Sequence, residues 1–152
     1  MSDNKTPFLL QLPWRDPLSA FAPLADEPWA LAFISGGVQS AARWSILCAE
    51  PDDVILANGP DALAQLGRQP VASHRDSDLP FTGGLAGLLS YELGAWIENM
   101  DEAKSGNWPG LAFGQYPCAA LFDHAKQQAF VVAPDPILAR RFVAKLGQGQ
   151  GR

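Results

Sequence analysis

The stretch L-A-F-G-Q-Y-P-C-A-A-L-F-D-H-A-K-Q-Q-A-F-V-V-A, Leu111 to Ala133, decides how the chain is read. Two apolar runs, Leu111 to Phe122 and Ala129 to Ala133, flank Asp123-His124-Ala125-Lys126-Gln127-Gln128. Apolar and β-branched runs broken by a short polar cluster predict a β-hairpin, with the runs on a sheet and the cluster at its solvated end. Just downstream, Asp135 offers a capping carboxylate and Pro136 a residue suited to a first helical turn, so Pro136 to Leu146 reads as a helix. Residues 147–152, G-Q-G-Q-G-R, read as a flexible tail or truncated linker.

Working towards the N-terminus, Phe81 to Glu98 begins strand-like and changes period at Tyr91, where Leu93, Trp96 and Ile97 suit one or two helical turns. Trp29 to Ile34 and Arg43 to Ala49 are strand candidates, and Val54 to Ala57 follows across a Pro51-Asp52-Asp53 turn. Pro60-Asp61 opens a short helical stretch, Ala62 to Leu66, that Gly67 closes. Residues 68–80 and 99–110 are polar and read as loops. Glycine and proline are abundant, 14 and 13 residues, which suits short strands joined by turns better than a helical bundle. The expectation is a single α+β domain over residues 1–146, β-rich and mainly antiparallel, with short helices.

Composition narrows the function. The 152 residues are 47% hydrophobic and 18% charged, enough apolar surface for a core and too little charge for intrinsic disorder. Lys plus Arg number 11 against 16 Asp plus Glu, a net charge of −5. With no basic excess to neutralise phosphates, no nucleic-acid partner is expected, and no anionic membrane surface either. The longest apolar-and-glycine run, Gly83 to Leu89, falls far short of the ~20 residues of a membrane span. Met1 to Pro7 lacks the apolar segment of a signal peptide. Cys48 and Cys118 each sit in an apolar stretch and read as buried free thiols, which suits a cytoplasmic protein.

Groups able to do chemistry are few. His74 and His124 fall in a loop and a hairpin turn and read as exposed. No Cys-x-x-Cys, His-Glu-x-x-His or histidine–carboxylate cluster is present, so no metal ligands are assigned. Gly83-Gly84-x-x-Gly87 lacks the spacing and downstream acid of a dinucleotide loop; glycines allowing close backbone approach are the better reading. Ser35-Gly36-Gly37 has no following lysine, and no serine sits in a G-x-S-x-G elbow. No catalytic residue is assigned. Trp14, Trp29, Trp96 and Trp108 read as core or interdomain contacts, and Tyr91-Glu92 as packing and an N-terminal helix charge.

Three blocks in order do carry a resemblance. They are Pro28-Trp29-Ala30-Leu31 through Ser35-Gly36 to Arg43-Trp44 and Ala49-Glu50-Pro51; then Asp78 to Gly94 (D-L-P-F-T-G-G-L-A-G-L-L-S-Y-E-L-G) with Glu98; then Pro109 to Gly114 with Tyr116 and Phe122-Asp123-His124. Across residues 13–133 the chain resembles the N-terminal domain of the aminodeoxychorismate synthase component I family, related to anthranilate synthase component I. The resemblance implies the N-terminal half of that fold and a role in aminating chorismate to 4-amino-4-deoxychorismate, for 4-aminobenzoate and folate synthesis. It implies two partners, a chorismate-binding catalytic domain and a glutamine amidotransferase subunit. The catalytic residues and Mg²⁺ would belong to that catalytic domain, which is absent from this chain, so no cofactor is expected here.

The resemblance also implies an amino-acid pocket on the N-terminal domain, with tryptophan as a possible ligand. The matching positions are Ser35, Arg43 and Trp44, a hydroxyl, a guanidinium and an aromatic wall. Ala41 and Ala42 stand where the family carries Tyr and Ser. Two alternatives stay open: a standalone amino-acid sensor, and a fragment of an anthranilate synthase component I.

Overall fold

The computed structural model describes residues 6–36, 40–70, 78–98 and 107–147. Among these residues eight strands form two sheets: β1 Phe8–Leu12, β2 Leu31–Phe33, β3 Trp44–Cys48, β4 Asp53–Ala57, β5 Gly84–Leu89, β6 Leu111–Tyr116, β7 Ala119–Asp123 and β8 Gln128–Ala133. Four helices accompany them: α1 Pro17–Phe21, α2 Ala62–Gly67, α3 Tyr91–Ile97 and α4 Pro136–Lys145. The larger sheet runs β1-β8-β7-β3-β2 and the smaller β4-β6-β5. Every pairing is antiparallel. The architecture is α+β, as the sequence leads one to expect.

The hairpin of the opening stretch forms, with Asp123 opposite Gln128 and residues 124–127 as its turn. Its first arm differs from the expectation. Leu111 to Phe122 is two strands in two different sheets, β6 and β7, interrupted at Pro117-Cys118. Proline has no N–H to give a ladder, so the chain leaves one sheet there and enters the other. A matching change occurs on the neighbouring chain segment: β3 lies in the larger sheet and β4 in the smaller, so Pro51-Asp52-Asp53 is not the tip of a hairpin.

The two crossings run side by side. Leu47 pairs with Ala120 before the crossing, and Asp53 with Gln115 after it. Residues 48–52 on one arm therefore oppose residues 116–119 on the other, one residue more against fewer, which is a β-bulge. Glu50 adopts φ 52°, the left-handed region that lets a strand swallow an extra residue. Asp52 N–H donates to the Gln115 carbonyl across the ribbon at 2.8 Å, and Glu50 N–H turns outside it to the Pro28 carbonyl at 3.1 Å.

Three apolar clusters result. On one face of the larger sheet, Leu47, Ala120, Phe122, Ala129 and Val131 pack against Ala20 and Leu24, and against Ala139 and Phe142 of α4. On its other face, Cys48, Ala119, Leu121 and Val132 pack with Tyr116 of the smaller sheet. All five residues of β7 are buried, which explains why that strand reads as a continuous apolar run instead of alternating. The third cluster joins Ala57 and Leu111 of the smaller sheet to Ala62 of α2 and Leu93 of α3.

Helix α4 forms where the sequence places it, its Asp135 side chain accepting from the N–H groups of Ile137 and Leu138 at 2.9 Å each. Strand β1 and helix α1 are not anticipated by the sequence reading. α1 nevertheless carries the same start signal, Asp16 before Pro17, with the Asp16 carboxylate accepting from Ser19 N–H at 2.9 Å. Gly147, assigned to a flexible tail, donates its N–H to the Ala20 carbonyl at 2.9 Å. His74 and residues 148–152 lie outside the described residues.

The glycines of the middle block do permit close approach. A β-carbon on Gly87 would stand 2.1 Å from the Ala112 carbonyl oxygen and 2.8 Å from the Phe113 ring. Because the obstruction includes backbone, Gly87→Ala forces β5 away from β6. It should lower unfolding free energy by about 2–3 kcal/mol in urea titrations.

Both cysteines are buried and unpaired. They belong to clusters on opposite faces of the larger sheet, so neither can bridge the other without the sheet opening. Burial pushes the Cys48 thiol up to about 12 and that of Cys118 to about 11. At pH 8 both are protonated and shielded, and should react with Ellman's reagent only as fast as the protein opens. Two thiols titrating at free-cysteine rates without denaturant would contradict this packing.

Candidate functional site

The three residues assigned to a ligand pocket lie together at the start of β3. Ser35 follows β2, and extending the β2–β3 register two places brings it opposite Trp44. Ser35 and β3 are stitched by Ser45, a fully buried residue whose Oγ accepts from Ser35 N–H at 2.9 Å and donates to the Ser35 carbonyl at 3.2 Å. Arg43 stands at the mouth of the strand with its guanidinium carbon 4.9 Å from the Trp44 ring centroid, a cation–π contact.

The partner of Arg43 is within the protein. Its Nε donates to Asp123 Oδ1 at 3.0 Å and its Nη2 to Oδ2 at 2.6 Å, a two-pronged pair whose carboxylate is 1% exposed. The same Oδ1 accepts from the N–H groups of Ala125 and Lys126, closing the hairpin turn. The Arg43 hydrogen bond first, then these backbone donors, hold the Asp123 carboxyl below the usual carboxylate range against the opposing cost of burial. Three of the five guanidinium N–H donors remain, on a side chain 38% exposed. Ser35 Oγ has no hydrogen-bond partner among the described residues, and Trp44 is half-buried against the cluster holding Cys48 and Tyr116.

His124, expected to be an exposed turn residue, is half-buried instead. Its Nε2 lies 2.7 Å from Ser45 Oγ, its N–H donates to the Arg43 carbonyl at 2.8 Å, and the Trp14 ring meets its imidazole edge-on at 5.4 Å. All the contacts of the Ser45 hydroxyl are satisfied at once when Nε2 carries the proton and donates. The strand register explains the error: Asp123 pairs with Trp44, which draws the first turn residue back over β3. Asp123 opening a polar turn is itself the available signal, since a short carboxylate there bonds its own turn's amides.

This cluster can hold a strand pair in register and present a stacked guanidinium and an open hydroxyl. It contains no nucleophile paired with a base in an accessible cleft. Ser45 and His124 touch, but Ser45 is fully buried. Among the described residues no three of His, Cys, Asp and Glu come together as metal ligands would.

The Asp123 carboxyl is held below its unfolded pKa of about 3.9, so its stabilising contribution is complete above that pH. The contribution fades as pH falls through the lower folded value. Asp123→Asn should therefore be destabilised by a constant amount from neutrality to about pH 4, with the gap narrowing below it. Urea unfolding at a series of pH values measures this; a gap that widens on acidification would contradict it.

Comparison with known proteins gives the chain its relatives. It is 29% identical to aminodeoxychorismate synthase component 1 of Salmonella typhimurium (strain LT2) over 157 aligned positions, 88% of this chain. The same-named proteins of Klebsiella aerogenes and Escherichia coli (strain K12) are 27% and 26% identical over 89% and 90% of the chain. The chain spans 35% of the length of each. No protein-family model matches it. The chain is thus similar to aminodeoxychorismate synthase component 1 over most of its own length, in keeping with the three sequence blocks.

Proposed function

We propose that this chain is the non-catalytic N-terminal domain of an aminodeoxychorismate synthase component 1. In this reading it supports the amination of chorismate to 4-amino-4-deoxychorismate, the route to 4-aminobenzoate and folate. The observation that carries the reading is the likeness to three such proteins across nearly the whole chain, while the chain matches only 35% of their length. One further feature supports it. Part of one face of the smaller sheet is open, with Val54, Leu56 and Leu88 40%, 58% and 42% exposed. Apolar strand residues facing water on a sheet suit a surface that another domain covers.

The proposed partners are a chorismate-binding catalytic domain and a glutamine amidotransferase. Ser35, Arg43 and Trp44 are proposed to edge an amino-acid pocket of the tryptophan type. The unspent Ser35 hydroxyl supports this, and Arg43 would offer a ligand only those donors that Asp123 leaves.

The test is chorismate amination with ammonia and Mg²⁺, run with this chain, with a separately expressed catalytic domain, and with both. Turnover in the mixture alone is the expected result. Turnover by the folded catalytic domain that this chain does not raise would overturn the reading. Saturable calorimetric binding of tryptophan by the chain, abolished in Arg43→Ala and joined to no gain in turnover in the mixture, would instead favour an amino-acid sensor.

A further inference from the structure

A concavity whose lining includes none of Ser35, Arg43 and Trp44 lies at one end of the smaller sheet. Ala57, Leu111 and Leu89 share one row of that sheet, so β4 and β5 end where β6 begins. The connections leaving this row and helix α3 enclose about 520 Å³, a volume in the range of small-molecule sites. Its walls are built. Asn58 Oδ1 accepts from Gly110 N–H at 2.8 Å, and Ser90 N–H donates to the Gly110 carbonyl at 2.8 Å. The Trp96 ring lies against Gly59, where a β-carbon would come within 3.3 Å of it and where φ of 82° already favours glycine.

The lining combines apolar and aromatic surface with unspent polar groups. Leu56, Leu93, Trp96 and Trp108 supply the first, and Trp108 is 74% exposed, an indole left in water. Glu92 and Asn58 supply the second. Among the described residues the Glu92 carboxylate and the Asn58 amide N–H₂ have no hydrogen-bond or ion-pair partner, whereas Arg43 pairs with Asp123 and Ser45 with His124. Among the described residues Glu92 is the one ionisable group of the lining, and it brings a negative charge to the hollow. Glu92 and Trp96 stand four residues apart, on one face of α3.

We propose that this hollow binds a small organic ammonium ion with an apolar or aromatic body. The cation would lie between the Glu92 carboxylate and the indole faces, and the body against Leu56 and Leu93. Indole faces attract cations through their quadrupole, and a carboxylate beside them selects against anions of the same shape. The proposal is independent of any role in chorismate chemistry.

Two probes of matched shape and opposite charge test it: phenethylammonium and 3-phenylpropionate, titrated into the ¹⁵N-labelled chain. The indole N–H resonances report binding, and loss of a peak in Trp108→Ala identifies Trp108. Phenethylammonium should shift the Trp96 and Trp108 signals saturably, and the carboxylate should bind about tenfold more weakly or worse. Trp108→Ala and Glu92→Gln should each weaken the ammonium about fivefold or more with an unchanged thermal midpoint. Absence of saturable shifts up to about 20 mM would overturn the proposal. Equal binding of the two probes, or full affinity in both variants, would do the same.

Discussion

The fold hangs on the passage of one two-stranded ribbon from the larger sheet into the smaller. Paired backbone groups cannot be left bare in an apolar interior, so both chains must cross together and stay bonded as they do. Their unequal lengths are reconciled by the bulge at Glu50, whose left-handed backbone takes up the additional residue. Glu50 is held from outside as well: its carboxylate pairs with Lys145 at the end of α4, which also lies 3.5 Å from Glu27. On the other arm Tyr116 reaches across the junction, its hydroxyl donating to the Trp29 carbonyl at 2.8 Å. Its ring covers Gly114, where a β-carbon would stand 2.7 Å from it. With these ties in place, the larger sheet packs apolar clusters on both faces, while part of one face of the smaller sheet stays open.

Polar chemistry is divided unevenly between the two sheets. At the hairpin end of the larger sheet most of the polar side chains bond within the protein. Arg43 gives two of its five N–H donors to Asp123, Asp123 bonds the turn amides, and Ser45 bonds Ser35 and His124. Such a network fixes strand register, because a slip of one residue would bury an unpaired carboxylate. At the far end of the smaller sheet the backbone is bonded, but the Glu92 carboxylate and the Asn58 amide N–H₂ have no partner among the described residues. A group kept unpaired near apolar walls retains its full capacity for an incoming partner.

Local rules made much of the secondary structure legible. Asp135-Pro136 announced α4, the polar interval from Asp123 to Gln128 announced the hairpin, and Gly87 announced a close backbone approach. Where reading fell short, a long-range partner was responsible. Pro117 is a small interruption in an apolar run, yet it separates strands of different sheets because β3 and β4 make the same crossing beside it. His124 sits in a turn that sequence alone makes solvent-facing, yet β3 packs beneath it. Arg43 is recognisable as a residue able to hold a carboxylate, but nothing adjacent in sequence says that the carboxylate is Asp123, 80 positions away.

The sequence by itself determined the strand-rich antiparallel character, the ends of the main helix, the buried thiols and the likeness to aminodeoxychorismate synthase component 1. Each rests on local patterning or on blocks read in order. Tertiary structure alone decided that there are two sheets, that Arg43 is shared with Asp123, and that Glu92, Trp96 and Trp108 surround one hollow. The reason is physical. Periodicity and capping act over one or two turns of chain, whereas sheet membership, charge pairing and cavities arise from segments that meet only when the backbone closes its long-range hydrogen bonds.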